Sequence, residues 1–262
     1  MAYATGGFAE GETRATIFSL LSTTLKLFSD VGIASLTSHS NFELEDIGKK
    51  KTAVFLIVPD EKESRHQLVS LFIDQCYQAL INYAQSQDNG KLLIRTNFVL
   101  DEFSNMPTIN GFSNKITVSR SRDIRFYLVV QDFNQLEEKY HKVSKTITSN
   151  CTNWIYLLTT DNSTALEISK RLGKYTIATS RYSTSAKVTD TTYNLSSDKS
   201  LLGRDLLSPD ELMRLDFGTG LFLKSRSLPI MSNFTPYYKM PIKLETTDLP
   251  ATNKYKKAEC FN

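Results

Sequence analysis

A chain of 262 residues and 29.7 kDa is long enough for one or two domains whose cores need no disulfide or metal staple. Hydrophobic residues at 40% and charged residues at 23% fit a globular protein and exclude disorder along most of the length. The formal net charge of +3 is too small to argue alone for nucleic acid or a membrane surface, so any polyanion site must come from local clustering.

The first residues, Met1-Ala2-Tyr3-Ala4-Thr5, have no basic region followed by an apolar core and do not read as a signal peptide. They open inside a Gly/Thr-rich stretch, which suggests an internal start or a fragment trimmed from a longer protein. Residues 13–28 carry Ile17, Phe18, Leu20, Leu21, Leu25 and Phe28 at nearly helical spacing. A polar connector over 35–41 and Lys49-Lys50-Lys51 lead to residues 53–58, the longest clean apolar run. That run has strand length and falls far short of the ~18–20 residues of a membrane span. Residues 66–87 place Leu68, Val69, Phe72, Ile73, Cys76, Tyr77, Leu80, Ile81 and Ala84 on one stripe of a long helix, closed by Asp88-Asn89-Gly90. The spacing predicts a strand at 97–100, a helix over 109–122, a strand at 125–130, a broken helical stretch over 134–150 and a strand at 154–158. Thr164 with Glu167 reads as a capping box for a helix that ends at Gly173. Sparsely charged strands separated by helices predict a parallel sheet covered on both faces, with 53–58, 97–100, 126–130 and 154–158 as neighbours.

Beyond Gly173 the Ser-, Thr- and Tyr-rich residues 175–193 predict edge strands or a hairpin. Ser208-Pro209-Asp210-Glu211 has the N-cap Ser, first-turn Pro and third-position Glu of a helix start. A last strand follows at 219–223, and residues 241–262 lose periodicity. The cysteines (Cys76, Cys151, Cys260) and histidines (His39, His66, His141) are scattered, which argues for a reducing compartment and against structural zinc or a His/Cys metalloenzyme.

The sharpest chemical signal is the apolar strand Asn97-Phe98-Val99-Leu100 running into Asp101-Glu102. Magnesium wants hard carboxylate oxygens, often through its waters, and Asp101 at a strand end supplies one. Glu102 beside it is placed to polarise an attacking water. The alternative is a buried strand followed by an acidic turn. The strand at 126–130 ends in Gln131-Asp132, and parallel strands present such residues on one carboxyl edge, where ligands bind. Gln131 can sense a γ-phosphate or orient water there, or else cap the next turn. Gly6-Gly7-Phe8-Ala9-Glu10-Gly11-Glu12-Thr13 matches a phosphate-binding loop in spacing, but Glu12 stands where Lys is required and no strand precedes it. No other segment offers Gly-x₄-Gly-Lys-Ser/Thr.

A further signal is charge. Lys115, Arg120, Arg122 and Arg125 face only Asp123, as phosphate contacts for DNA, as an arginine acting in trans, or as a solvated helix face. Tyr175, Tyr182 and Tyr193 with Lys174, Arg181 and Lys187 fit either a single-stranded nucleic-acid strand or ordinary strand propensity.

The run Phe98-Val99-Leu100-Asp101-Glu102-Phe103, then Arg120, Leu128-Val129-Val130-Gln131, Gln135-Leu136 and Tyr140, resembles the TraG/TraD-like type IV coupling proteins of bacterial conjugation. Residues 147–151, Asp161, Ser169-Lys170-Arg171-Leu172-Gly173 and residues 206–212 continue the resemblance, which covers roughly 5–240. It implies a RecA-like, three-layer α/β nucleotide-binding domain with a mostly parallel sheet and a short N-terminal helical portion. Residues 1–48 would be the end of a helical insert, 49–240 the second part of the nucleotide domain, and 241–262 a loose tail. The resemblance further implies Mg-ATP hydrolysis in a full-length homo-hexamer anchored at the cytoplasmic face of the bacterial membrane. There it would link relaxase-bound DNA to a type IV secretion channel. Asp101 would hold the metal, with Glu102 and Gln131 catalytic. The family's phosphate loop and anchor have no counterpart here, so no tightly bound nucleotide is expected in this chain alone. Other readings are a non-enzymatic docking module for a relaxosome or secretion partner and, more weakly, an FtsK-like DNA translocase.

Overall fold

The computed structural model describes residues 11–58, 63–185 and 194–241. These divide into two compact units. One comprises residues 11–58, 63–99 and 105–127; the other comprises 100–104, 128–185 and 194–241.

The first unit begins with α1 (Gly11–Leu25), a short 3₁₀ turn (Lys26–Ser29) and α2 (Val31–Thr37). The second of these helices lies partly in the expected polar connector. It forms there because the Asp30 carboxylate accepts the Gly32 and Ile33 N–H groups at 2.8 and 3.1 Å, satisfying two of its orphan donors. The one-turn helix α3 (Asp46–Lys49) follows, then the long helix α4 (Glu63–Gln85), close to its expected span. Ile73, Cys76, Tyr77, Leu80 and Ala84 recur at helical spacing and are buried. Cys76, Tyr77, Leu80 and Ala84 form a core with Leu92 and Ile124; Phe98 and Phe126 pack against it and stack on each other at 5.0 Å. A Cβ at Gly48 would stand 2.9 Å from side-chain methyls of both Leu80 and Leu92, so a larger residue in α3 would force these core side chains to shift.

Strands β1 (Thr96–Leu100) and β2 (Ile124–Leu128) pair directly. The Thr96 N–H donates to Asp123 C=O at 3.2 Å near one end, and Val129 N–H donates to Leu100 C=O at 3.0 Å near the other. Both sequences rise together, so the pair is parallel. Between them comes α5 (Phe112–Ser119), tightening into a 3₁₀ turn at Arg120–Arg122.

In the second unit α6 (Phe133–Tyr140) and α7 (Ser144–Asn150) flank a 3₁₀ turn, the break foreseen in 134–150. Next come β3 (Asn153–Tyr156), α8 (Asn162–Leu172), the hairpin strands β4 (Lys174–Ser185) and β5 (Asn194–Asp205), α9 (Pro209–Leu212), β6 (Thr219–Lys224) and β7 (Ile230–Asn233). The core is Tyr156, Ile168, Leu172, Leu212 and Leu221. The Ser208 capping box forms as read. Gly173, at φ 87°, stops α8 and releases the chain into the hairpin. The hairpin pairs from Lys174 with Asp205 through Ser185 with Asn194.

The RecA-like α/β class is as expected, but three details differ. Residues 53–58 form no ladder: Phe55 and Ile57 are 84% and 92% exposed, and a β-prone run without a neighbouring strand has nothing to pair with. β3 pairs antiparallel with β6, and β6 with β7, so the expected parallel neighbours are realised only by β1 and β2. The N-cap of α8 is Asp161, three residues before Thr164. Residues 6–10 of the glycine-rich segment, Lys187, Tyr193, Cys260 and residues 242–262 lie outside the described residues. Gly11 and Glu12 begin α1.

Candidate nucleotide-binding edge

The acidic turn is built by what surrounds it. Leu100 ends β1 and is buried, whereas Asp101 and Glu102 are exposed. Phe103 turns inward, fully buried, and stacks on Tyr140 at 5.2 Å. Its N–H donates to Val129 C=O at 2.9 Å, the same residue whose N–H donates to Leu100. Val129 therefore clasps both ends of the turn and brings the carboxylates beside the exit of β2. Lys139 of α6 adds a third clasp by donating to the Ser104 carbonyl, and burial lowers its pKa below the usual ammonium range. Glu102 has φ 49°, a left-handed conformation that costs a non-glycine residue about 1–2 kcal/mol. Its N–H donates to Asp101 Oδ1 at 3.1 Å.

Gln131 is exposed two residues beyond Val129. It is not needed as a cap, because Asp132 accepts the Gln135 N–H at 2.8 Å and starts α6 itself. Two exposed carboxylates and a carboxamide beside one strand exit are hard oxygen donors of the kind that suits a water-bearing magnesium ion.

Asp161, named in the sequence only as part of the family resemblance, is a hub beside this edge that sequence reasoning did not foresee. Asp161 Oδ1 accepts Asn134 Nδ2 at 3.0 Å, and Oδ2 accepts the Ser163 hydroxyl, Thr164 N–H and Thr164 hydroxyl at 2.6, 2.7 and 2.7 Å. The Thr164 hydroxyl oxygen in turn accepts Phe133 N–H at 3.0 Å. These donors, led by Ser163, hold the Asp161 carboxyl down at about 2. An Asp three residues before a Thr at a helix start was the available signal.

The cationic candidates are dispersed. Lys115 is buried, pairs with Asp74 at 2.7 Å and lies over the Tyr77 ring at 5.2 Å, so it is no solvent-facing phosphate contact. Arg122 is half-buried and donates to Gly90 C=O at 3.0 Å. Arg120 and Arg125 are exposed, and Asp123 pairs with Arg95 at 2.8 Å. In the hairpin, Tyr175 OH accepts from Arg204 at 3.3 Å, and Lys174 pairs with Asp205 at 3.6 Å.

Residues 4–259 match the family described as type IV secretory system conjugative DNA transfer. The chain belongs to that family. VirD4 of Rhizobium radiobacter is 28% identical over 217 residues, which are 82% of this chain and 30% of that protein. VirD4 of Rhizobium rhizogenes is 27% identical over 217 residues, again 82% of this chain and 31% of that protein. The chain thus spans about a third of the length of these relatives. Among solved structures, the conjugative coupling protein TrwB in an unbound form superimposes with a TM-score of 0.68 at 15% identity, covering 87% of this chain and 51% of TrwB. TrwB in complex with ADP and Mg²⁺ gives 0.65 at 14% identity, covering 87% and 50%. At such identity the likeness shows the fold, and these relatives favour a coupling-protein fold over an FtsK-like translocase. Among the described residues, no helix is long and apolar enough to cross a membrane.

Proposed function

We propose that the chain carries the second half of the nucleotide site of a conjugative coupling protein. In this reading residues 49–240 are the later part of the nucleotide domain and 1–48 the end of a helical insert. The observation that supports it best is the double clasp of Val129 on Leu100 and Phe103, which sets Asp101 and Glu102 beside the exit leading to Gln131. Magnesium, when bound, supplies charge neutralisation for the β- and γ-phosphates, and Asp101 would hold it through its waters. Glu102 orients and deprotonates water, and Gln131 senses the terminal phosphate. The phosphate cradle comes from residues outside these 262, since Glu12 in place of Lys would repel a triphosphate. The whole protein would act as a homo-hexamer at the cytoplasmic face of the membrane, passing relaxase-bound DNA to a type IV secretion channel.

The test is ATP turnover by the protein expressed from its whole natural gene. Glu102→Gln is expected to lower kcat by about 10²–10⁴-fold, the usual range for losing a general base. The 262-residue chain alone is expected to release no phosphate above background. Undiminished turnover in Glu102→Gln would remove Glu102 from the chemistry. Turnover by the chain alone that this substitution abolishes would show that the site is complete within it.

A further inference from the structure

We infer that Asp161 is the positioning residue of this edge: it fixes the Gln131 turn by tying the start of α6 to the start of α8. The inference rests on the nucleotide reading above, because it assigns Asp161 a role in placing Gln131.

The turn is weakly held by its own strand. The ladder of β2 ends at Leu128, and Val129 is the last residue of that strand's exit with a backbone bond back to the β1 side. Gln131 lies beyond it, exposed on its own. What fixes the next residues is α8. Phe133 N–H donates to Thr164 Oγ1, and the Asn134 amide donates to Asp161 Oδ1. Thr164 can accept from Phe133 in the right direction because its own hydroxyl proton is committed to Asp161 Oδ2. One carboxylate thus sets both the proton and the orientation of the group that holds Phe133. The ring of Phe133 also packs edge-on against Trp154 of β3 at 5.2 Å, so the turn is gripped through backbone and side chain together. Asp132 contributes only to its own helix, through Gln135.

A plain N-cap needs one acceptor for one or two backbone donors. Asp161 takes a backbone donor and three side-chain donors, one of them from a different helix. The surplus serves the α6 side. Charged acceptors form the stronger hydrogen bonds, and a carboxylate held near its lower pKa limit keeps that charge at any working pH. Asn at this position would cap α8 nearly as well as Asp but offers one oxygen to four donors, turning an NH₂ toward the others. Asp161→Asn therefore separates capping from positioning without unfolding the helix.

The first measurement is amide hydrogen exchange of the chain itself. In Asp161→Asn the protection of Phe133 is expected to fall about tenfold or more, while Tyr156 and Ile168 in the core keep theirs. Asn134→Ala, which cuts the cross-link and leaves the cap, is expected to loosen the turn in the same direction. Unchanged protection of Phe133 in both variants overturns the inference. The second measurement is ATP turnover by the protein from its whole gene. Gln131→Ala and Asp161→Asn are each expected to lower kcat about tenfold with KM for ATP within about twofold, and the double variant is expected to be no worse than Gln131→Ala. A purely structural Asp161 would instead give multiplying losses, and that result also overturns the inference. If the wild-type protein shows no turnover, or Gln131→Ala and Glu102→Gln both keep it, the nucleotide reading itself fails; the exchange experiment still decides whether Asp161 holds the turn.

Discussion

The acidic turn after β1 and the cationic run from Lys115 to Arg125 are two charge clusters of opposite sign, and the fold treats them in opposite ways. At the acidic turn the backbone is satisfied by Val129 and the anchor is Phe103, so Asp101 and Glu102 are left exposed to solvent. In the cationic run the side chains themselves complete the structure. Lys115 is buried against Asp74 and Tyr77, and Arg122 closes the loop at Gly90. A charged residue is a candidate for external chemistry when neighbouring main chain and apolar side chains do the holding. Where its own charge does the holding, it is part of the scaffold.

The largest effect that would break this contrast lies at Lys115. With its side chain only 9% exposed, Lys115→Ala removes both a packed stem and the partner of Asp74. Asp74 is 35% exposed and can rehydrate in part, so the expected loss is about 2 kcal/mol, read from the denaturant midpoint. Arg120→Ala on the same helical run is expected to stay within about 0.5 kcal/mol. Equal stability of the two variants would put Lys115 back among the surface cations.

What the sequence made legible follows the same division. Periodicity placed α4, β1, β2 and the Ser208 helix start, because each rests on local spacing that the fold does not override. It also placed Asp101 and Glu102 directly after β1, whereas Gln131, expected directly after its strand, lies three residues beyond the end of β2. It did not show that residues 53–58 form no ladder, since β-propensity specifies an extended run but not a partner. Nor could spacing show that Lys115 turns inward while Arg120 turns out: both suit a helix, and the difference lies in Asp74, 41 positions earlier. Asp161 entered only through the family resemblance, and its role was missed because that role depends on Asn134 and Phe133, which come from another helix. Short-range grammar reveals caps and strands; cross-links between elements appear only in three dimensions.

A smaller effect concerns pH. The Asp161 carboxyl is held at about 2, below its ordinary 3.8. A carboxylate whose folded-state pKa is depressed contributes stability that is fully present above the unfolded value and is lost as the pH falls through the folded one. Stability should therefore decline from near pH 4 toward pH 2, and Asp161→Asn should flatten part of that decline. Asp210 and Glu211, also lowered by the Ser208 capping hydrogen bonds, keep the remainder. Denaturant titrations at pH 2.5, 4 and 6 (about the span of the two pKa values and one reference point) check this. An equally steep decline in the variant would show that the Asp161 network is absent in solution.

The smallest expected change separates the arginines from one another. DNA binding by this chain should be weak and driven by released counterions, so its affinity falls with salt by a log–log slope of about −0.7 per phosphate neutralised on single strands. Arg120 and Arg125 are exposed and able to reach a backbone, so replacing both by Ala should reduce the slope by about 1.4. Arg122 already donates to Gly90, and a Cβ at Gly90 would stand 2.8 Å from its guanidinium. Replacing Arg122 alone should leave the slope unchanged and lower stability by about 1 kcal/mol, the usual net value of one such hydrogen bond. Fluorescence anisotropy with a single-stranded oligonucleotide across a salt series measures the slope, and a denaturant midpoint measures the stability. If Arg122→Ala reduces the slope as much as either exposed arginine, its contact with Gly90 is too weak to withhold it from DNA. In that case the contrast between scaffold charges and available charges fails on the side where it is most finely drawn.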